Sequence, residues 1–307
     1  AASINMEVHI STQTNITNIE TIRFFAHFAD VVILSRELSL LQIKEITKEI
    51  KKQKIKGPSG NLVQIEIFAH GALCVAVSGK CYMSLHTTNS SANRGACIQN
   101  CRKTYIVTDK EDGHQFEIDN EHILSPKDLC TIGFLDRVLD SGINILKIEG
   151  RGRSPEYVKI TTQCYREAAD ALLEGTYNKE KVKGWMNKLE TVYNRGFWNG
   201  YYLGQKLGEW TEIYGSKATR KKIYLGKAKK YFTKIQVAEF NLETQQLKEG
   251  DNIFITGRTT GIIETVAGEM RLNDKQVKGV KKGDNFSMKL DYTVRPSDKL
   301  YKVVNSK

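Results

Sequence analysis

Apolar residues in the first two thirds of the chain follow two alternating periods. Four short runs have the length of strands, and the second and fourth of them read as buried: residues 6–12, 31–38, 62–71 and 143–151. Five longer stretches repeat apolar residues every three or four positions and predict amphipathic helices: residues 14–29, 40–53, 125–142, 156–175 and 179–194. Strands that alternate with amphipathic helices are typical of parallel βαβ units.

The number of these units predicts half of a β/α barrel. A complete barrel of eight units needs about 250 residues, and the pattern gives four βα units before residue 215. We therefore expect an α/β fold over residues 1–215: a partial, amino-terminally truncated TIM-like β/α barrel. A polar segment at 105–124, with a turn at Asp112 and Gly113, predicts a hairpin-like insertion.

The pattern changes at residue 216. Helical periodicity stops, and five short runs of β type follow, separated by turns rich in Gly and Asp: residues 221–232, 234–241, 251–259, 261–268 and 284–290. Short strands of this kind close into small barrels. Residues 216–307 are therefore predicted to form a second domain, a small all-β barrel.

Charge is concentrated in this second domain. The whole chain carries a formal charge of +11, and residues 216–307 contain 20 Lys and Arg against 10 Asp and Glu. A one-sided basic module is expected of a protein that binds a polyanion such as RNA, although a merely lysine-rich surface gives the same count. Tyr231 and Phe232 lie among the lysines and are either core residues or platforms on which bases stack.

Two other features of the composition predict the location. The chain contains no apolar run long enough for a membrane span. Its first residues read as a strand rather than a signal peptide. We expect a cytoplasmic protein that does not contact a membrane. The chain is expected to begin inside a domain and to lack half of its large barrel, so that this fragment is inactive even if its parent protein is active.

Cysteines cluster between residues 66 and 101. Four of the six are Cys74, Cys81, Cys97 and Cys101, separated by six, fifteen and three residues. Grouped thiols in a reducing compartment bind a soft metal centre or perform redox chemistry. Structural zinc sites use closer cysteine pairs, whereas iron–sulfur clusters tolerate looser spacing. Buried, inert thiols are the remaining alternative. A radical-SAM motif is excluded because its third cysteine would fall at Thr104.

Several longer motifs resemble peptidase family U32. They are EIFAHGALCVAVSGKCYMS, NRGACIQNCRKTY, SPKDLC, LKIEGRGRSPEYV and VYNRGFWNGYY, and they extend through most of the chain. The family includes proteins called collagenase-like proteases and prephenate-dependent tRNA hydroxylation proteins, some with a carboxyl-terminal barrel. The resemblance implies that Cys74, Cys81, Cys97 and Cys101 bind a 4Fe–4S cluster. Cys130 is a fifth candidate, and both it and Cys164 are otherwise core thiols.

Reacting groups of β/α barrels lie at the carboxyl ends of the strands. Arginine and lysine at such ends suit an anionic substrate, and the resemblance implies a small anionic cosubstrate such as prephenate. Each candidate also has a structural alternative. The ring of His70 could find its hydrogen-bond partners in the protein core, and Lys147 and Glu149 could form an internal ion pair. The strand ends carry Ser11, Arg36, Glu66 and Arg153, together with the catalytic candidates His9, Gln13, Glu37, His70, Lys147, Glu149 and Arg151.

Two functions are compatible with these residues. The first, implied by the resemblance, is a tRNA-modifying enzyme that hydroxylates a uridine to 5-hydroxyuridine with a prephenate-like donor and an iron–sulfur cluster. The second is a peptidase of the U32 type. The sequence contains neither GxSxG nor HExxH, and cysteines committed to iron cannot act as nucleophiles. We therefore expect hydroxylation.

Overall fold

The computed structural model describes residues 4, 6–77, 80–106, 108, 110–113, 124–206 and 208–306. The chain divides into two compact units. The first contains Ala1–Gly152 and Ile160–Lys217, and the second contains Arg153–Lys159 and Ala218–Lys307. Most of the hairpin predicted at 105–124 lies outside the described residues.

The first unit is of mixed α/β type, as the alternating pattern predicts. Its strands are β1 (His9–Ile10), β2 (Val31–Ile33), β3 (Gln64–Gly71), β4 (Asp128–Cys130), β5 (Ile145–Ile148) and β6 (Phe197–Trp198). The helices are α1 (Ile19–Phe25), α2 (Leu40–Gln53), α3 (Met83–Thr88), α4 (Leu135–Asp140), α5 (Pro155–Leu173) and α6 (Lys179–Leu189). Over the described ranges, none of the helices is both long and apolar enough to cross a lipid bilayer.

Strand β3 organises the sheet of the first unit. It pairs in parallel with β2, which pairs in parallel with β1, and it pairs in parallel with β5. At its end, β3 pairs antiparallel with β4, and β4 pairs in parallel with β6. Among the described residues this pairing does not close on itself. The α/β class is confirmed, and the partial β/α barrel stays a prediction.

Helix α2 shows how the sequence produces the outer layer. Ser39 begins the helix with a capping box, because its hydroxyl accepts from the Gln42 amide while the Gln42 side chain accepts from the Ser39 amide. Ile43, Ile46 and Ile50 recur at helical spacing and are buried in the core of the first unit. Burial of each such side chain contributes about 1.5–3 kcal/mol.

The helix predicted at 125–142 is wrong over its first half. Asp128–Cys130 forms β4, Ile132–Phe134 forms a 3₁₀ turn, and only Leu135–Asp140 is helical. Leu129 and Cys130 are buried in the sheet, where β4 pairs with the last residues of β3. Tertiary pairing therefore overrides the local helical period. Helix α1 also ends early, at Phe25, and leaves Phe28 exposed.

The second unit has an all-β core, as predicted. Its strands are β7 (Arg220–Phe232), β8 (Val237–Leu242), β9 (Gln246–Lys248), β10 (Asn252–Gly257), β11 (Gly261–Val266), β12 (Met270–Leu272), β13 (Lys275–Val277), β14 (Gly279–Lys281), β15 (Asn285–Lys289) and β16 (Lys299–Asn305). Eight form one antiparallel sheet in the order β11-β10-β16-β7-β8-β15-β12-β13, and β14 pairs with β9. Phe240 and Phe286 stack in its core with ring centroids 5.5 Å apart. Its closure into a barrel stays a prediction.

Candidate functional site

Three predicted strand-end residues meet in one group of charges. Glu66 on β3 is 4% exposed. One of its carboxylate oxygens lies 2.6 Å from Nδ1 of His9 on β1, and the other lies 3.1 Å from Nζ of Lys147 on β5. A buried carboxylate is stable only when it is paired and hydrogen-bonded. Glu66 therefore fixes the positions of two candidate residues that come from different strands.

The ring of Phe68 carries two cations beside this group. The Arg36 guanidinium lies 4.7 Å from the ring centroid, and Nζ of Lys147 lies 5.4 Å from it. Arg36 also donates to the carbonyl oxygen of Ala72 over 3.1 Å. Two cationic side chains on one aromatic face give this part of the unit a set of donors that suits a carboxylate ligand.

Arg151 links the end of β5 to the cysteine segment. Its backbone N–H donates to a carboxylate oxygen of Glu149 over 2.7 Å. One terminal nitrogen of its guanidinium lies 3.6 Å from where a Cβ on Gly95 would stand. Gly95 has a φ of 85° and lies two residues before Cys97. The structure therefore places Arg151 next to the segment that carries Cys97 and Cys101.

The other three catalytic candidates lie in different surroundings. Gln13 and Glu37 are exposed, Gln13 in a 3₁₀ turn after β1 and Glu37 between β2 and α2. His70 is 1% exposed, and its ring packs against Tyr165 and Phe197 with centroids 5.5 Å away in each case. Its Nδ1 lies 3.4 Å from the Tyr165 hydroxyl. These contacts favour the alternative that the sequence left open, in which His70 is a core residue whose ring finds its partners within the protein.

The four clustered cysteines interact electrostatically. Burial raises the pKa of the Cys101 thiol, and nearby Arg102 opposes this shift. Negative charge on Cys74, Cys97 and Cys81 raises the same pKa further, so all three lie within electrostatic reach of Cys101. The amide of Ala76 points at the sulfur of Cys74 over 3.4 Å. Amide donors to sulfur are the contacts that tune thiolate-bound clusters.

Arg102 connects the two ends of the cysteine segment. Its guanidinium donates to the carbonyl of Leu73 over 2.8 Å, next to Cys74, although Arg102 itself follows Cys101. It also donates to the Ser125 hydroxyl and the Pro126 carbonyl, each over 3.0 Å. Burial lowers the pKa of Arg102, and the charge of Arg195 lowers it further. Arg102 was not among the candidates, because nothing in its local sequence indicates these distant acceptors.

The 4Fe–4S cluster stays a prediction. Among the residues that the structure describes, no three His, Cys, Asp or Glu side chains converge closely enough to hold one metal ion. Iron–sulfur clusters are held by cysteine thiolates, usually four of them. Cys74, Cys81, Cys97 and Cys101 are the residues that could hold such a group.

The two remaining cysteines lie in the core. Cys130 and Cys164 are 5% and 0% exposed. Burial raises the pKa of each thiol to about 11. The sulfur of Cys130 lies 3.8 Å from that of Met186, and Cys164 points at the carbonyl of Trp185. Both are protonated, inert thiols near neutral pH.

In the second unit, Tyr231 and Phe232, the two aromatic residues among the lysines, differ in how far their rings are exposed. Tyr231 donates from its hydroxyl to the carbonyl of Leu290 over 2.9 Å and packs on the core. Phe232 is 37% exposed, and Nζ of Lys230 lies 4.8 Å from its ring centroid. Only Phe232 therefore retains the accessibility that a base-stacking platform needs.

Comparison with known proteins identifies the family. The profile of peptidase family U32 matches residues 1–212. The chain belongs to this family. Among its U32 relatives is a protein named collagenase from Porphyromonas gingivalis, 54% identical over 98% of this chain and 73% of that protein.

Other U32 relatives carry RNA-modification names. tRNA hydroxylation protein P1 of Bacillus subtilis is 32% identical over 86% of this chain and 62% of its own length. The 23S rRNA 5-hydroxycytidine C2501 synthase of Escherichia coli is 39% identical over 55% of this chain and 24% of its own length. U32 relatives of this chain thus carry either protease names or RNA-hydroxylation names, and the collagenase-named relative has the higher identity.

Proposed function

We propose that the parent protein of this chain hydroxylates a pyrimidine base of RNA, with a uridine of tRNA as the substrate and 5-hydroxyuridine as the product. The observation that carries the proposal is the cysteine segment, whose two ends are joined by the hydrogen bond from Arg102 to the Leu73 carbonyl; the charges of Cys74, Cys81 and Cys97 also help to raise the pKa of Cys101. A hydrolytic peptidase does not need such a group. The names of the relatives from Bacillus subtilis and Escherichia coli support the same chemistry.

In this proposal Cys74, Cys81, Cys97 and Cys101 hold a 4Fe–4S cluster. When bound, the cluster supplies one-electron chemistry at a potential that its hydrogen bonds and burial set. The Ala76 amide is one donor to this sulfur shell, and Arg102 places a positive charge beside thiolates that are all negative. Arg102 also holds the ends of the segment together through Leu73.

Arg36, Lys147 and Arg151 bind the anionic cosubstrate, a prephenate-like dicarboxylate. A dicarboxylate needs two cationic clamps. Arg36 and Lys147 form the first on the face of Phe68, and Arg151 beside the cysteine segment forms the second. Glu66 fixes Lys147 and orients His9, whose half-exposed ring can hold or release a proton.

RNA is bound by the basic second unit. Its excess of lysine and arginine neutralises phosphates and releases their counterions. Phe232 with Lys230 supplies an accessible aromatic face. Exposed lysines on β7, including Lys229, extend this cationic surface.

A peptidase is the second candidate, because the relative from Porphyromonas gingivalis is named collagenase. Cys74 and His70, four residues apart, would make a poor nucleophilic dyad. His70 is 1% exposed between Tyr165 and Phe197, so a substrate peptide has no access to its ring.

Nucleoside mass spectrometry separates the two functions. We expect the anaerobically purified protein to contain about four irons. We also expect its gene to restore 5-hydroxyuridine derivatives in tRNA of a strain that lacks U32 hydroxylation proteins. A Cys97→Ala/Cys101→Ala variant should restore none. Unchanged tRNA together with cleavage of gelatin by the wild-type protein would reject the proposal in favour of the peptidase.

A further inference from the structure

A cavity of about 410 Å³ lies beside the cysteine segment within the first unit. One wall is formed by the segment from Cys97 to Lys103, and the other by residues around Tyr193–Arg195 and Ile213–Gly215. A backbone hydrogen bond of 2.7 Å from Lys217 to Asn194 holds the two parts of the second wall together. The volume is within the range of small-ligand sites, about 300–1,000 Å³.

The charges around this cavity suit an anion. Its described walls contain no Asp or Glu, but they contain Arg102, Lys103 and Arg195. Arg195 is neutralised by Asp128, in a buried ion pair with a distance of 2.9 Å. Within the described residues, Arg102 donates to neutral oxygens and to no carboxylate, although the charge of Asp128 reaches it through space. Its Nε is buried and makes no hydrogen bond within the described residues.

Lys103 adds a second positive charge that is free to bind a ligand. Its side chain is exposed. In the described part of the chain, no carboxylate pairs with it. A phosphate in the cavity would therefore meet Arg102 and Lys103 together, with Lys103 as the mobile point charge.

Two tyrosines give the cavity aromatic faces. The central carbon of the Arg195 guanidinium lies 5.3 Å from the centroid of the Tyr193 ring. Tyr214 is 78% exposed at the cavity, although a ring of this size normally buries most of its area. Aromatic faces beside cations are the features by which proteins hold single-stranded nucleotides, with the base stacked and the phosphate paired.

We propose that this cavity receives one nucleotide of the RNA, turned out of its stack, with the pyrimidine on Tyr214 and the phosphate at Lys103 and Arg102. The inference rests on the proposed function and deepens it. An enzyme that reacts with a base either acts on a single strand or takes the base out of the helix, and in both cases the base is unstacked in a pocket. Cys97 forms part of the same wall, so the extruded base would lie next to the cysteines. A dicarboxylate would make no use of the tyrosines, which favours a nucleotide.

Binding of uridine 5′-monophosphate and of ribose 5-phosphate to the full chain, measured by calorimetry, tests the assignment without any reaction. Stacking of a base contributes about 1–3 kcal/mol. Uridine monophosphate should therefore bind at least about fivefold more tightly than ribose 5-phosphate. Tyr214→Ala should reduce this ratio to near one, and Tyr214→Phe should keep it. Lys103→Gln should weaken both ligands equally.

Two matched variants serve as controls. Tyr292→Ala removes a 53% exposed tyrosine of the second unit, and Lys183→Gln removes an exposed lysine of α6. Both should bind as the wild type does. Equal affinity of the wild type for the two ligands, or a ratio that survives Tyr214→Ala, would overturn the assignment.

The same measurements separate this inference from the proposed function. If the ratio depends on Tyr214 but RNA is not hydroxylated, the nucleotide site stands and the proposed reaction fails. If RNA is hydroxylated while uridine monophosphate and ribose 5-phosphate bind with equal affinity, the reaction stands and the nucleotide site is rejected.

Discussion

Arg102 donates a hydrogen bond of 2.8 Å to the carbonyl oxygen of Leu73 and so joins the residue after Cys101 to the residue before Cys74. The same guanidinium makes two further hydrogen bonds, to Ser125 and Pro126. A planar guanidinium can reach three acceptors at once, whereas an ammonium on a flexible stem cannot hold the same geometry. The shape of Arg102, and not only its charge, therefore sets the spacing of the outer cysteines.

Arg102→Lys should consequently lower the iron content of the protein while the charge is retained. We expect less than half the wild-type iron per chain after anaerobic purification, measured by a colorimetric iron assay together with the visible absorbance of the cluster. Arg137→Lys, on the exposed face of α4, is the matched control and should leave the iron content unchanged. Full iron in Arg102→Lys would show that positive charge alone is sufficient.

Glu66→Gln should reduce hydroxylation strongly. The change keeps the size of the side chain but removes the charge that holds His9 at 2.6 Å and Lys147 at 3.1 Å. Loss of a positioned acid–base group costs about 100-fold or more in rate. The rate of formation of hydroxylated nucleoside, followed by mass spectrometry, measures the effect. Glu45→Gln on the exposed face of α2 is the control. Equal rates for the two variants would assign Glu66 a purely structural role.

The sequence names His9, Glu66 and Lys147 as separate strand-end candidates, and it gives no signal for Arg102. Parallel pairing of β1, β2, β3 and β5 brings the three candidates together, although Glu66 lies in the first half of β3 and not at its carboxyl end. The partners of Arg102 are backbone carbonyls at Leu73 and Pro126, whose positions depend on how the cysteine segment folds back. Strand β4 is missed similarly, because pairing with β3 decides its conformation.

Lys229→Gln/Lys230→Gln should weaken RNA binding and its dependence on salt. Both lysines are exposed on β7, and Lys230 lies over the ring of Phe232. Each lost phosphate contact reduces the slope of log K against log salt by about 0.7–0.9. Filter binding of tRNA at several salt concentrations should therefore show a slope about 1.5 smaller. The control is Lys179→Gln/Lys183→Gln on α6 of the first unit, which should keep the wild-type slope. A wild-type slope in the β7 variant would remove β7 from the RNA interface.

Stability should fall in alkaline solution because of two core thiols. Burial raises the pKa of Cys130 and of Cys164 to about 11, from an ordinary value of 9.0. Below about pH 9 both thiols are protonated in the folded and unfolded chains, so their contribution to the free energy of unfolding is fully present. As the pH rises from 9 to 11 the unfolded thiols ionise first, and each costs up to about 3 kcal/mol of folding free energy. Urea unfolding at pH 7.5 and 10.5 measures this loss, which should be smaller in Cys130→Ala/Cys164→Ala. The same loss in both proteins would assign it to other groups.

Gly226→Ala should destabilise the second unit, because no side chain fits between β7 and β8 at this position. A Cβ on Gly226 would stand 1.9 Å from the carbonyl oxygen of Asn241 and 3.1 Å from the amide nitrogen of Glu243. Both neighbours are backbone atoms, which cannot rotate away, so the two strands must separate or bend. We expect a loss of about 2–4 kcal/mol in the free energy of unfolding, measured by urea denaturation. Gly268→Ala in the same unit meets nothing within 4 Å. It should change stability by less than about 1 kcal/mol. Equal stability of the two variants would mean that β7 and β8 do not pair closely at Gly226, and the antiparallel register at the centre of the sheet would then be wrong.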